Sequence, residues 1–264
     1  MLHRLNLRTR RGSAAATRAL TALAAAAALA WAAGCAALNP PSEALPLFTQ
    51  GARIVFQGDS ITDGHRARNA APGQDLGSGY AFIIAAKLGA ELAERRLIFV
   101  NRGIAGNEIT DLAGRWQSDA IDLEPDVLSI LVGVNGIGDP EPADAFEQEY
   151  ERLLADTVRA LPHVRLILCE PFGLPAGPKK AQWAQYYPEL ERRVAVVDRL
   201  AERHHATIVH FQRMFEAATS RAPPEYWISD GIHPTYAGHQ LMATAWIRAV
   251  RENSAARAAR PASR

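Results

Sequence analysis

Residues 53–62 read RIVFQGDSIT, an apolar run of strand character from Arg53 to Gln57 that breaks at Gly58 into a polar turn carrying Asp59, Ser60 and Thr62. Four further runs of the same kind follow, at Leu97 to Asn101, Asp126 to Val132, Val164 to Cys169 and Thr207 to Phe211. Each is short and mostly apolar, which suits a strand buried on both faces. The stretches between them have helical period: Phe146, Tyr150, Leu153, Leu154, Val158 and Leu161 lie on one face, as do Leu241, Met242, Ala245, Trp246 and Ala249 near the end. Buried strands alternating with helices predict an α/β domain, a flavodoxin-like three-layer α/β/α sandwich around a five-stranded parallel sheet. In such a sheet ligands bind beyond the carboxyl ends of the strands, near the reversal of strand order. Chemistry is therefore expected just after strands.

The turn after the first strand places Ser60 on that rim. The G-x-S-x-G elbow of the α/β-hydrolases is absent, because Thr62 stands at the second glycine position. Near the other end, Ser229-Asp230-Gly231-Ile232-His233-Pro234 puts a carboxylate and an imidazole three residues apart, within hydrogen-bonding reach. A serine hydroxyl needs a neutral imidazole to take its proton and an acid to set the tautomer, roles that Ser60, His233 and Asp230 can fill. Gly106 follows the second strand and Asn135 the third. The Gly106 N–H, the Asn135 amide and the Ser60 N–H can donate to an oxyanion formed during ester attack.

Four blocks carry a resemblance: GDSIT at 58–62, NRGIAGN at 101–107, GVN at 133–135 and DGIHP at 230–234. In that order they resemble the blocks of the SGNH (GDSL-type) serine hydrolases, across about Arg53 to Val250. The resemblance implies Ser60 as nucleophile, Asp230 and His233 as the rest of a triad, and Ser60, Gly106 and Asn135 as oxyanion donors. GDSITDGHRAR, LGSGY and ITDLAGRW look like a bacterial branch that includes acetylxylan and other carbohydrate acetylesterases. One departure stands out, since that third block usually reads G-x-N-D and here Gly136 takes the place of the acid. Glycine adds backbone freedom and removes an acceptor, so a looser loop around Asn135 is expected, and an acid restored at 136 is expected to preserve or raise activity.

The ends read differently from the middle. The first 34 residues hold five arginines and no acid, and an Ala-rich run from Ala19 to Gly34 ends at Cys35, the layout of a secretory signal. Ala32-Ala33-Gly34-Cys35 resembles a lipobox, with Cys35 the lipidated residue; Ala30-Trp31-Ala32 would instead serve an ordinary signal peptidase. The expected organisation is a signal peptide over 1–34, a Pro-rich tether over 35–51, the hydrolase domain over 52–250 and a disordered tail over 251–264. The expected location is across the bacterial inner membrane, facing periplasm or exterior, held by a lipid anchor only. Residues 35–250 carry 20 basic against 27 acidic side chains, which argues against nucleic acid as a partner.

Other groups read as structural. Asp59, Asp63, His65 and His233 have no recognised zinc spacing, so neither metal nor other cofactor is expected. Cys169 lies within a buried strand and behaves as a small hydrophobe, and His239 is read as a contact in the last helix. Arg66, Arg68, Tyr80 and Trp227, with Trp183, Tyr186, Tyr187 and Tyr226, are candidates for a polar, aromatic pocket suited to a sugar ring. The expected substrate is a small-molecule or polysaccharide ester carrying a short acyl group. A lysophospholipase or thioesterase, and a non-catalytic carbohydrate-binding lipoprotein, are the alternatives.

Overall fold

The computed structural model describes residues 45–68, 73–138 and 143–258. Five parallel strands form one sheet: β1 (Arg53–Gly58), β2 (Ile98–Asn101), β3 (Val127–Leu131), β4 (Arg165–Cys169) and β5 (Thr207–Val209). Their order is β2-β1-β3-β4-β5, so the direction of winding reverses between β1 and β3. That is the flavodoxin-like order, with its crevice at the carboxyl ends of those two strands. Gly58 pairs with Leu131 at this end, which places the residues after both strands side by side.

Between and after the strands lie α1 (Ser60–Asp63), α2 (Tyr80–Glu91), α3 (Ile109–Gly114), α4 (Trp116–Asp119), α5 (Ala143–Ala160), α6 (Lys179–Arg203), α7 (Phe211–Ala218), α8 (Pro224–Trp227) and α9 (Tyr236–Ala258). The two-residue period of each strand splits its side chains between two cores. Ile54 and Phe56 of β1 join Ile167 and Cys169 of β4 against Tyr80, Phe211 and Trp246 from α2, α7 and α9. Val55 of β1 and Leu166 and Leu168 of β4 face Leu112, Tyr150 and Val197 from α3, α5 and α6. This is the expected three-layer sandwich, apolar on both faces of the sheet.

Both expected limits of the domain shift. Residues 45–51 are not a free tether: Leu45 and Phe48 are buried, Phe48 stacks on Trp246 at 6.3 Å, and Arg95 Nη1 donates to the Leu45 and Phe48 carbonyls at 2.7 Å each. The short run Leu45-Pro46-Leu47-Phe48 in a Pro-rich stretch has no period to reveal its burial. At the other end α9 continues to Ala258, eight residues beyond Val250. Ser254 is buried with its hydroxyl donating to the Val250 carbonyl at 2.8 Å, and Arg251 Nη2 meets Glu91 at 2.8 Å. Alanine and arginine are strong helix formers, and they prolong the helix without large apolar residues. The signal segment and Cys35 lie outside the described residues, as does the chain from 259 onward.

Candidate active site

The carboxyl end of β1 turns into α1 at Asp59, whose Oδ1 accepts from the Ile61 N–H at 3.0 Å and so starts the helix. Ser60 is its first residue, and its N–H has no intrahelical acceptor to meet. The Ser60 Oγ lies 2.9 Å from His233 Nε2, although 173 residues separate them. Asp59 is fully buried, and its Oδ2 has no partner among the described residues. Burial raises its pKa from 3.8 to about 7, against the opposing pull of the Ile61 N–H and of His233.

A raised carboxyl pKa has a definite consequence for stability. Between 3.8 and about 7 the unfolded chain releases the Asp59 proton and the folded chain keeps it, so folding loses stability as pH rises through that window. Asp59→Asn removes this term. Its stabilisation over wild type is expected to grow from near zero at about pH 4 to at most about 4 kcal/mol above about pH 7. Thermal unfolding at the two pH values measures it; an equal shift at both would show that Asp59 is ionised in the fold.

The partner turn precedes α9. Asp230 Oδ1 accepts from the Ile232 N–H at 2.9 Å and the His233 N–H at 2.7 Å, and its Oδ2 lies 2.7 Å from His233 Nδ1. Burial pushes this carboxyl up, but the His233 backbone and ring and the Ile232 N–H outweigh it, holding Asp230 below the usual carboxylate range. An ionised carboxylate only accepts, so Nδ1 carries the proton and Nε2 presents its lone pair to Ser60. This is the tautomer that a base for the serine hydroxyl requires.

Two loops complete the rim. Gly106 sits in an exposed turn at φ +83°, and the loop is tied to the serine turn by the Ile104 N–H donating to the Gly58 carbonyl at 3.1 Å. Asn135 Nδ2 donates to the Asn107 carbonyl at 3.0 Å, which joins the loop after β3 to the same place and leaves the amide a second N–H. Gly103 approaches closely enough that a Cβ there would stand 2.3 Å from the Asp63 backbone nitrogen. Gly136, at φ +67°, leaves room for Glu108, whose Oε2 is 2.6 Å from where a Cβ would project. An aspartate at 136 would therefore stand against the Glu108 carboxylate, whose flexible end would have to move aside.

Two arginines overlooked in the sequence brace these loops. Arg115 donates to Asn107 Oδ1 at 2.9 Å, the Arg102 carbonyl at 2.7 Å and the Gly58 carbonyl at 3.2 Å. Arg193 on α6 is buried and donates to the Gly133 and Asn135 carbonyls at 3.2 and 2.7 Å. The sequence held a signal for it, an arginine within the otherwise apolar stripe of Tyr186, Leu190, Val197 and Leu200.

Of the pocket candidates, Tyr80 is fully buried among Phe56 and Phe211 with its hydroxyl 3.0 Å from Thr62 Oγ1. Trp227 is buried too, its Nε1 donating to the Ala218 carbonyl at 3.0 Å. Neither offers a face to a substrate; both rings were apolar enough to be drawn into the core. Arg68 forks onto both Asp63 oxygens at 2.9 Å, and Arg66 Nε donates to the Gly103 carbonyl at 3.1 Å. They brace the loop behind Ser60 and hydrogen-bond no triad residue. Tyr186 is buried with its hydroxyl donating to the Val134 carbonyl at 3.2 Å, whereas Trp183 lies against Gly173 beside the Gly231 carbonyl, next to the Asp230 turn.

His239 accepts the Tyr80 N–H on Nδ1 at 3.2 Å, capping α2 where Gly79 has no side chain to do so; burial, with His233 nearby, lowers its pKa from 6.5 to about 4. Burial raises the Cys169 thiol to about 12, out of reach of nucleophilic chemistry. Glu170, Asp198 and His210 are close enough together to hold a cation. Glu170 is already matched by His210 Nδ1 at 2.6 Å, and Asp198 by Arg213 at 3.0 Å, the pattern of an ion-pair network. A cavity of about 820 Å³ opens at the opposite end of the sheet, between Val164, Thr207 and Pro46, away from the serine rim.

The chain matches the GDSL-like lipase/acylhydrolase family over residues 56–241. It is 32% identical over 213 residues to an acetylxylan esterase of Geobacillus stearothermophilus, covering 76% of this chain and 94% of that protein. The crystal structure of the acetylxylan esterase Axe2 from that organism superposes with a TM-score of 0.68 at 30% identity, over 77% of this chain and 95% of the other. A GDSL-like structure from Parabacteroides merdae superposes with a TM-score of 0.73 at 36% identity, over 77% and 97% of the two chains.

Proposed function

Since the chain belongs to the GDSL-like lipase/acylhydrolase family and is a carboxylic ester hydrolase, we propose that it removes short acyl groups, chiefly O-acetyl, from carbohydrate through an acyl-enzyme on Ser60. One observation carries this reading: the unbroken line from Asp230 Oδ2 through His233 to Ser60 Oγ, at 2.7 and 2.9 Å. Likeness to an acetylxylan esterase supports the substrate class.

His233 Nε2 takes the Ser60 proton as Oγ attacks the ester carbonyl, and the Asp230 carboxylate stabilises the imidazolium that results. The negative charge forming on the carbonyl oxygen is met by the Ser60 and Gly106 N–H groups and the free N–H of Asn135. As the tetrahedral intermediate collapses, His233 returns the proton to the sugar oxygen, which leaves as an alcohol, and Ser60 is left acylated. Water then enters, gives one proton to His233 and attacks the acyl carbon; the second collapse returns that proton to Ser60 and frees the carboxylic acid, which ionises in solvent. Arginine-rich Leu2 to Arg18 and the run ending at Cys35 support export and lipid anchoring of the enzyme.

Acyl length tests the substrate. An apolar channel would gain about 0.8 kcal/mol per buried methylene, so a lipid-directed enzyme improves as the chain lengthens. Here kcat/KM for acetyl esters is expected to exceed that for octanoyl esters by at least about tenfold, with acetate released from acetylated xylo-oligosaccharides. Activity rising towards octanoyl, or turnover of lysophosphatidylcholine without release of acetate from sugar, would assign a lysophospholipase instead.

A further inference from the structure

We propose that Arg193 is the positioning residue of the loop at 133–136, holding Asn135 where its amide meets the oxyanion; this rests on the reading of Asn135 as an oxyanion donor. The loop has little of its own to hold it. Glycines stand on both sides of Val134-Asn135, at φ +121° for Gly133 and +67° for Gly136, and neither brings a side chain that could anchor the turn. Arg193 arrives from α6, about sixty residues on in sequence, and its guanidinium spans the loop. Nη1 donates to the Gly133 carbonyl at 3.2 Å and the Asn135 carbonyl at 2.7 Å, and Nη2 to the Gly136 carbonyl at 3.4 Å.

The surroundings make this an expensive place for a charge. The Arg193 side chain is 1% exposed, lies with its guanidinium carbon 5.1 Å from the centre of the Phe146 ring, and pairs with Glu189 at 3.5 Å. A leucine or methionine would continue the apolar stripe of α6 without the desolvation that a buried guanidinium incurs. What an apolar residue could not do is cap three carbonyls of one loop from a single planar group. The same ring of Phe146 closes the other side, with Cζ 3.1 Å from where a Cβ on Gly133 would stand. The backbone of Asn135 is thus held by Arg193 while its amide is held by the Asn107 carbonyl, and the two restraints together fix the direction of the remaining N–H.

The test is a double-mutant cycle on the full chain, reading kcat and KM for an acetyl ester and the unfolding midpoint of each variant. Arg193→Met is expected to lower kcat at least about tenfold with KM within about twofold, since the donor acts on the transition state. In the Asn135→Ala background the same substitution is expected to change kcat by less than about twofold, because the group being positioned is gone. Arg193→Lys, whose ammonium cannot span all three carbonyls, is expected to fall between. Equal losses in both backgrounds, or an unchanged kcat, would overturn the proposal. Should Arg193→Met fail to fold, the cycle is read on Arg193→Lys, for which a kcat within about twofold of wild type overturns it. An Asn135→Ala enzyme with wild-type kcat would instead remove the oxyanion role of Asn135, and the two failures are told apart by that single variant.

Discussion

Ser60→Ala is expected to lower kcat for acetyl esters by about 10⁶-fold, because it deletes the atom that forms the acyl-enzyme and leaves only binding and oxyanion stabilisation. The fold should not follow. The Ser60 hydroxyl makes its side-chain hydrogen bond to His233, on a partly exposed rim, and the start of α1 is held by Asp59 rather than by Ser60. An unfolding midpoint close to that of wild type is therefore expected, within about 0.5 kcal/mol of stability. Acetate release and thermal unfolding measured on the same preparation decide the matter. Near-normal turnover by Ser60→Ala would remove Ser60 as the nucleophile.

Asp230→Asn is expected to cost about 10⁴-fold in kcat, and the geometry of the turn says why it should be so damaging. Oδ1 of Asp230 is committed to two backbone N–H groups, at 2.9 and 2.7 Å, so an asparagine would keep its carbonyl oxygen there. Its NH₂ would then face His233 Nδ1, which could only accept. The ring would be driven into the tautomer with its proton on Nε2, pointing at Ser60, and could no longer serve as base. The signature is a loss in kcat with the backbone turn and KM little changed. A loss below about tenfold would show that another group sets the His233 tautomer.

Both expectations start from residues that were legible in the sequence, and the reason is local. Asp230 and His233 are three apart, and one turn with an Asx-type hydrogen bond brings them together whatever the rest of the chain does. The strands were legible because a sheet covered on both faces demands a mostly apolar run, and β1, β3 and β4 have one, broken only by Arg53, Gln57, Ser129 and Arg165. Their pattern implied the sandwich, and the order of the blocks placed Ser60 after β1 and Asn135 after β3, the two strands that flank the reversal.

Burial of individual aromatic and charged residues was not legible. Tyr80 and Trp227 lie near the rim in sequence but inside in space, because each finds a hydrogen-bond partner for its polar end within the core. Arg66 and Arg68, candidates for the substrate pocket, pair with the Gly103 carbonyl and Asp63, while Arg68 stays exposed. Phe48 became part of the domain through Trp246, some two hundred residues away, and through Arg95, which holds its carbonyl.

The sequence alone thus determined the layered α/β fold and the Asp230-His233 pair, set by periodicity and short spacing, whereas the strand order that puts the reversal between β1 and β3 came from the structure. The tertiary structure alone decided that Gly136 makes room for the Glu108 carboxylate, that His239 caps α2, and that Arg193 reaches the carbonyls of Gly133, Asn135 and Gly136. Those contacts join residues far apart in the chain, and their energy depends on the desolvated geometry of both partners, which no local pattern encodes.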